Sequence, residues 1–237
     1  EPPELEIPVA KMLLKHYSQI KDHEKINKTK KNPLYAFEYK KRISNTVLNI
    51  GGNNVPIVKA DFSSKKKITP ASFFALGYNY SVPLDKWHIS DMATDYVFVG
   101  DHNIDFEVPG TLGIIYNYKK WKEHKKGYPC LTSQEYLNEE ILSNKMNIIY
   151  AHLSELSKEL QNKLKIDKTA VLLIDTLNKN GIAEQRRLFI ELINNNIKTP
   201  VIIGREYNNL SQEQLQVSAA SDIGALLLDG LGDGICI

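Results

Sequence analysis

Six residues near the end of the chain, Asp229-Gly230-Leu231-Gly232-Asp233-Gly234, crowd three glycines and two aspartates between an apolar run and Ile235-Cys236-Ile237. Three chemistries suit such a stretch: backbone amides cradling an anion, carboxylates holding a metal, or a tight structural turn. The stretch lacks the Lys-Ser/Thr of a phosphate-binding loop and the alternating oxygen ladder of a calcium loop. It also follows a predicted helix C-terminus, where the dipole is negative and an anion is disfavoured. A structural turn is the main reading, because glycine supplies positive φ and lets backbones approach closely.

A second set of polar residues falls at the ends of predicted strands: Lys59 and Asp61, Asp101 and His102, Asn117, His152, Asp175, and Arg205 with Glu206. In a parallel barrel, ligands collect at the C-terminal ends of the strands. Lys59, Asp61, His152, Asp175 and Arg205 are therefore the candidate ligand-binding residues, and an ordinary polar rim is the competing reading. Such a ring can also form an active site, and no metal set is expected. Cys130 and Cys236 lie far apart, outside any CxxC or His-rich setting, so they form neither a disulfide framework nor a full ligand set for zinc or iron–sulfur. Cys130, in "GYPCLT", is free to be exposed but has nothing adjacent to lower its pKa, and Cys236 is expected to be a small core residue. His16, His23, His88 and His124 carry no ligand spacing, and Trp87 and Trp121 read as packing residues.

The elements that must position these groups are short Val- and Ile-rich runs with little polar alternation, as in strands covered on both faces. They are residues 55–62, 96–100, 112–118, 146–153, 169–175, 200–204 and 234–237. Between them, residues 154–164 predict a helix capped by Ser154, with Leu156, Leu160 and Leu164 on one face. Residues 181–196 predict a second, and residues 211–230 a third, from an N-cap at Ser211 to a stop at Gly230. Strand–helix–strand alternation at this rhythm predicts an α/β fold with right-handed βαβ units. Seven or eight strands point to a (β/α)₈ TIM-like barrel, regular or degenerate, with an open doubly wound sheet as the alternative. Residues 34–54 are expected to form a hairpin or lid at the barrel opening, turning at Gly51-Gly52-Asn53-Asn54.

Residues 6–20 read as an amphipathic helix and 21–33 as a polar linker. This gives two units, 1–33 and 34–237. The formal net charge of +2 provides no global field for nucleic acid. Basic clusters at 28–32, 39–42, 64–67 and 119–126 read mainly as solvated loops, with an anionic partner as the alternative. No apolar run approaches the roughly 20 residues of a membrane span, and no signal peptide is visible.

Three stretches together resemble a known family: "RISNTVLNIGGNNVPIVKADFS" (42–63), "GIAEQRRLFIELINNNIKTPVII" (181–203) and "SAASDIGALLLDGLGDGICI" (218–237). They are similar to the long form of 4-hydroxy-3-methylbut-2-enyl diphosphate synthase, an iron–sulfur oxidoreductase of the non-mevalonate isoprenoid pathway. The resemblance implies a three-domain parent. In it a catalytic barrel and a [4Fe-4S] domain flank an inserted barrel-like domain, and 2-C-methyl-erythritol 2,4-cyclodiphosphate is opened reductively. Residues 1–17 resemble the helix that leaves the catalytic barrel, so the chain is expected to be the insert, a piece of a longer protein without its cluster domain. The family's catalytic barrel carries a sister loop, Gly-hydrophobic-Gly-Asp-Thr-hydrophobic-Arg. Here Gly230-Leu231-Gly232-Asp233 match it, but Gly234 stands for the Thr and Cys236 for the Arg. The implication is a diverged copy that has lost a diphosphate contact.

The expected role is then a non-catalytic scaffold between the two functional domains, inactive on its own and without a cofactor. The alternative is a binding module for a regulatory diphosphate or an acidic electron carrier, with ferredoxin or flavodoxin as candidates. The Lys-, Asn- and Ile-rich composition suits a bacterial cytoplasm, with a plastid as the alternative.

Overall fold

The computed structural model describes residues 38–178 and 181–237, together with 6, 7, 9–11, 13, 29 and 31–35. Of the helix expected over 6–20, the described residues Glu6, Ile7, Val9, Ala10, Lys11 and Leu13 are helical. The rest of it, and most of the expected linker, lies outside the described residues.

Two strands, β1 (Thr46–Val47) and β2 (Ile50–Gly51), form a hairpin ahead of β3 (Ile57–Asp61). A 3-10 turn (Pro70–Leu76) and a second hairpin, β4 (Tyr78–Ser81) with β5 (Lys86–Ile89), lead to β6 (Tyr96–Gly100) and β7 (Gly113–Asn117). Next come α1 (Tyr118–His124), β8 (Tyr128–Thr132), α2 (Ser133–Asn138), β9 (Asn147–Ala151), α3 (Lys158–Ile166) and β10 (Ala170–Ile174). Then α4 (Ile182–Asn194), β11 (Val201–Gly204), α5 (Gln212–Ala219), a π-helical turn (Ala220–Gly224), α6 (Ala225–Leu228) and β12 (Gly234–Cys236) complete the chain.

Strands β3, β6, β7, β8, β9, β10, β11 and β12 run parallel in that order and close into a barrel. Closure is made by β12 on β3, with Gly234, Ile235 and Cys236 opposite Ile57, Val58 and Lys59. The terminal strand is thus the seam of the barrel, and the open doubly wound alternative does not apply.

The barrel is degenerate on one side. Residues 101–112 connect β6 to β7 with neither helix nor strand. Ile104, Phe106 and Val108 recur at a spacing of two rather than 3.6, and they pack as an extended cover against the core. All seven apolar runs hold a barrel strand. The eighth strand, β8, was hidden because Pro129 lacks an N–H and argues against a central strand.

Two further expectations need correction. The helix expected over 154–164 is α3 and begins at Lys158, capped by Ser157 rather than Ser154, because the Ser157 side chain accepts from Leu160 N. Residues Leu153–Glu155 form a separate 3-10 turn. The hairpin expected over 34–54 turns at Leu48-Asn49, not at Gly51-Gly52-Asn53-Asn54. It is no lid over the mouth either. Val47 and Ile50 pack with Ile57, Tyr96 and Met146, so the hairpin plugs the N-terminal end of the barrel.

Alternation along the strands separates two cores. Ile57, Tyr96, Ile115, Ile148, Val171, Leu173 and Ile202 fill the barrel interior. Their strand neighbours, among them Val97, Ile114, Ile149, Leu172 and Ile203, face outward and are covered by Leu160 and Leu164 of α3, Leu188, Phe189 and Leu192 of α4, and Leu226 of α6. Each fully buried aliphatic side chain contributes about 1.5–3 kcal/mol.

Candidate functional site

Strand β3 turns Ile57 and Lys59 inward, and Lys59 is only 2 % exposed. Its ammonium lies 3.3 Å from Cys236 Sγ on β12 and 5.1 Å above the Phe98 ring of β6. These contacts follow from the seam register, which sets Lys59 directly opposite Cys236. Among the described residues Lys59 forms no ion pair with a carboxylate, so its positive charge is met by a thiol and an aromatic face.

Around this pair, Tyr150 of β9 donates its hydroxyl to Asp175 Oδ2 at 3.1 Å, and Thr176 N donates to Asp175 Oδ1 at 2.7 Å. His152 Nδ1 donates to the Asp175 carbonyl at 3.1 Å, and its ring packs edge-on against Tyr150. Burial, reinforced by Asp175, raises the Tyr150 phenol well above its ordinary range, so it stays a donor. Asp61 stands exposed at the end of β3, where Ser63 satisfies it through N (2.8 Å) and Oγ (2.6 Å).

Lys59, Asp61, His152 and Asp175 therefore gather at the C-terminal end of the barrel. Arg205 does not join them. It follows the inward-facing Gly204 and points to the outer side of β11. There it donates to the Asn178 carbonyl at 3.0 Å, pairs with Asp222 at 3.3 Å and lies over Tyr207. Gly181 makes room for the guanidinium, since a Cβ there would meet Arg205 Nη1 at 2.2 Å.

Cys130 faces the barrel interior from β8 and is half-buried. Burial pushes its thiol up to about 11, against a smaller opposing pull from Lys59. Burial likewise raises the Cys236 thiol, and Lys59 partly offsets this. Among the described residues no three His, Cys, Asp or Glu side chains assemble a metal ligand set.

The glycine turn sits at the opposite face. It precedes β12, so it belongs to the N-terminal end of the barrel. Gly230 and Gly232 adopt φ +74° and +92°. A Cβ on Gly230 would lie 2.4 Å from the Lys40 carbonyl, which is why the position takes glycine. Asp233 is 3 % exposed and bound on all sides: Ser44 Oγ donates at 2.7 Å, Val201 N at 2.9 Å, and Arg42 Nη2 lies 3.5 Å away. Arg42 also donates to the Ile197 and Thr199 carbonyls and covers the Phe189 ring. Arg42, Ser44 and Tyr150 were not singled out from sequence. Arg42 stands in a basic cluster that reads as a solvated loop, and nothing local marks it as buried.

No family model matches the chain. It is 29% identical over 237 residues to a protein of Parabacteroides distasonis, all of this chain and 36% of that one, named 4-hydroxy-3-methylbut-2-en-1-yl diphosphate synthase (flavodoxin). Proteins of the same name from Phocaeicola vulgatus (27% over 241 residues, 99% of this chain and 35% of that one) and Bacteroides fragilis strain YCH46 (27% over 235 residues, 99% and 34%) are similar in the same way. The chain spans about a third of the length of these relatives. Over its whole length it corresponds to a domain-sized segment of them.

Proposed function

We propose that the chain is the inserted middle domain of a long 4-hydroxy-3-methylbut-2-en-1-yl diphosphate synthase, and that it serves there as a non-catalytic scaffold. In this reading residues 1–33 lead out of a preceding catalytic barrel, and residues 34–237 set the distance and orientation between that barrel and a [4Fe-4S] domain. The two must close on one cyclic diphosphate.

The observation that supports the reading is the clamp of Arg42 on Asp233. The turn whose composition suits an anion cradle lies at the N-terminal end of the barrel, and its carboxylate is neutralised inside the protein. Ligands of parallel barrels bind at the other end. There the interior is occupied by Lys59, Phe98, Cys130, Tyr150 and Cys236. These residues do not fit an iron–sulfur cluster. Two thiols, both held protonated by burial and one hydrogen-bonded to an ammonium, are not a thiolate ligand set.

Deleting residues 34–237 from such a synthase tests the proposal. The expected result is a protein that still carries its cluster but has lost turnover and domain closure. Unchanged turnover would contradict it.

A second reading has its own observation. Lys65, Lys66 and Lys67 form an exposed basic loop just after β3, on the mouth side of the barrel. The relatives' name includes flavodoxin, and an acidic carrier could dock on this loop. Salt-sensitive association that disappears on reversing these three charges would support it.

A further inference from the structure

The seam of the barrel places an amine and a thiol in direct contact, and the scaffold role makes no use of either. We propose that Lys59 and Cys236 form a covalent cross-link on oxidation, a nitrogen–sulfur staple that locks the first barrel strand to the last.

Four observations carry this. Nζ and Sγ are 3.3 Å apart, with no atom between them. The register holds the pair in place, since the two residues are partners across β3 and β12. Lys59 is 2 % exposed and without a carboxylate partner among the described residues, so its amine is confined against the thiol rather than sampling solvent. Cys236 is half-buried and stands at the C-terminal end of β12, the mouth end of the barrel. Burial raises the Cys236 pKa, and the neighbouring ammonium offsets part of that rise, which leaves more of the thiolate, the form that attacks peroxide, than burial alone would.

The co-reactant is hydrogen peroxide. Its O–O bond breaks as the Cys236 sulfur takes one oxygen, which gives a sulfenic acid and releases one water. Sulfenic acids condense with nearby nitrogen to sulfenamides. The Lys59 nitrogen, after losing a proton to water, displaces the sulfenic oxygen as a second water and forms the N–S bond. In sum, one thiol, one ammonium and one peroxide give one sulfenamide, one water and one hydronium. Sulfur is oxidised by two electrons and peroxide is reduced by two.

The link would span positions 177 apart, and closing so long a loop restricts the unfolded chain strongly. The staple would therefore raise the denaturant midpoint, and dithiothreitol would return it to the starting value.

Peroxide treatment followed by intact-mass measurement and peptide mapping tests the proposal. The expected product is lighter by two hydrogens, joins the peptides of Lys59 and Cys236, resists trypsin after Lys59, and reverts with dithiothreitol. It should form equally in Cys130→Ser and be absent from Cys236→Ser and Lys59→Met. A disulfide between Cys130 and Cys236, lost in Cys130→Ser, would overturn it. So would oxygen added at Cys236 with trypsin still cutting after Lys59, a readout that needs no variant.

Discussion

Arg42 and Asp233 meet beneath the barrel with their charged groups 3.5 Å apart and both side chains no more than 4 % exposed. Arg42 belongs to the segment that enters the fold, and Asp233 to the turn before the closing strand. The pair ties the two ends of the barrel domain together across its N-terminal face. Backbone bonds run in parallel with it: Arg42 N donates to the Gly230 carbonyl at 2.8 Å, and Asp233 N to the Val201 carbonyl at 2.6 Å. Burial lowers the Arg42 pKa and Asp233 raises it in partial compensation.

Asp233→Ala should therefore be severely destabilising. Removing one partner of a buried pair leaves the other charge uncompensated, a cost of about 3–5 kcal/mol. Urea unfolding should report a loss of that size. A loss below about 1 kcal/mol would mean that water reaches Arg42.

Two glycines should respond in opposite directions. Gly230 has φ +74° and no room for a Cβ, so Gly230→Ala should destabilise by more than about 1 kcal/mol. Gly224 has φ −59° in a helical stretch with open space around its Cβ position. There Ala should stabilise by about 0.5–1 kcal/mol. Thermal midpoints of the two variants check the contrast.

The cap of α3 gives a sharper test of local structure. Ser157→Ala should cost about 1 kcal/mol through the lost bond to Leu160 N. Ser154→Ala should change stability by less than about 0.5 kcal/mol, as exposed sites away from special features do. Equal effects in chemical denaturation would contradict the assigned start of the helix.

Cys130 should be slow to alkylate. With its thiol raised from 9.0 to about 11, its thiolate fraction at pH 8 is about 100-fold below that of an unperturbed thiol. The linkage has a definite sign. Because the folded-state pKa is the higher one, the stability contributed by the protonated thiol is intact below pH 9 and lost as pH rises toward 11. Cys130→Ala should lack this component of the alkaline loss, as pH-dependent urea titrations of the two proteins would show.

The repeating strands were legible because their signal is local. Val- and Ile-rich runs between amphipathic helices specify βαβ units, and each of the seven runs became a barrel strand. What escaped depends on contacts distant in sequence. Pro129 fits β8 only because the flanking strands hold it there. The cover made by Ile104, Phe106 and Val108 stands where a helix is the rule. Among the candidate mouth residues, β-strand parity placed Lys59, Asp61, His152 and Asp175 together. It also sent Arg205 to the outer face, where it serves the loop before α4 and Asp222. Parity could have been counted from the sequence, whereas the burial of Arg42 could not.

The central claim is that this barrel holds its neighbours and does not bind the substrate. Calorimetric titration of the chain with 2-C-methyl-erythritol 2,4-cyclodiphosphate at low salt addresses it most directly, since low salt favours any contact with a diphosphate. The account predicts no saturable heat at millimolar ligand. Saturable heat that disappears in Lys59→Ala would contradict it and make the mouth a working site.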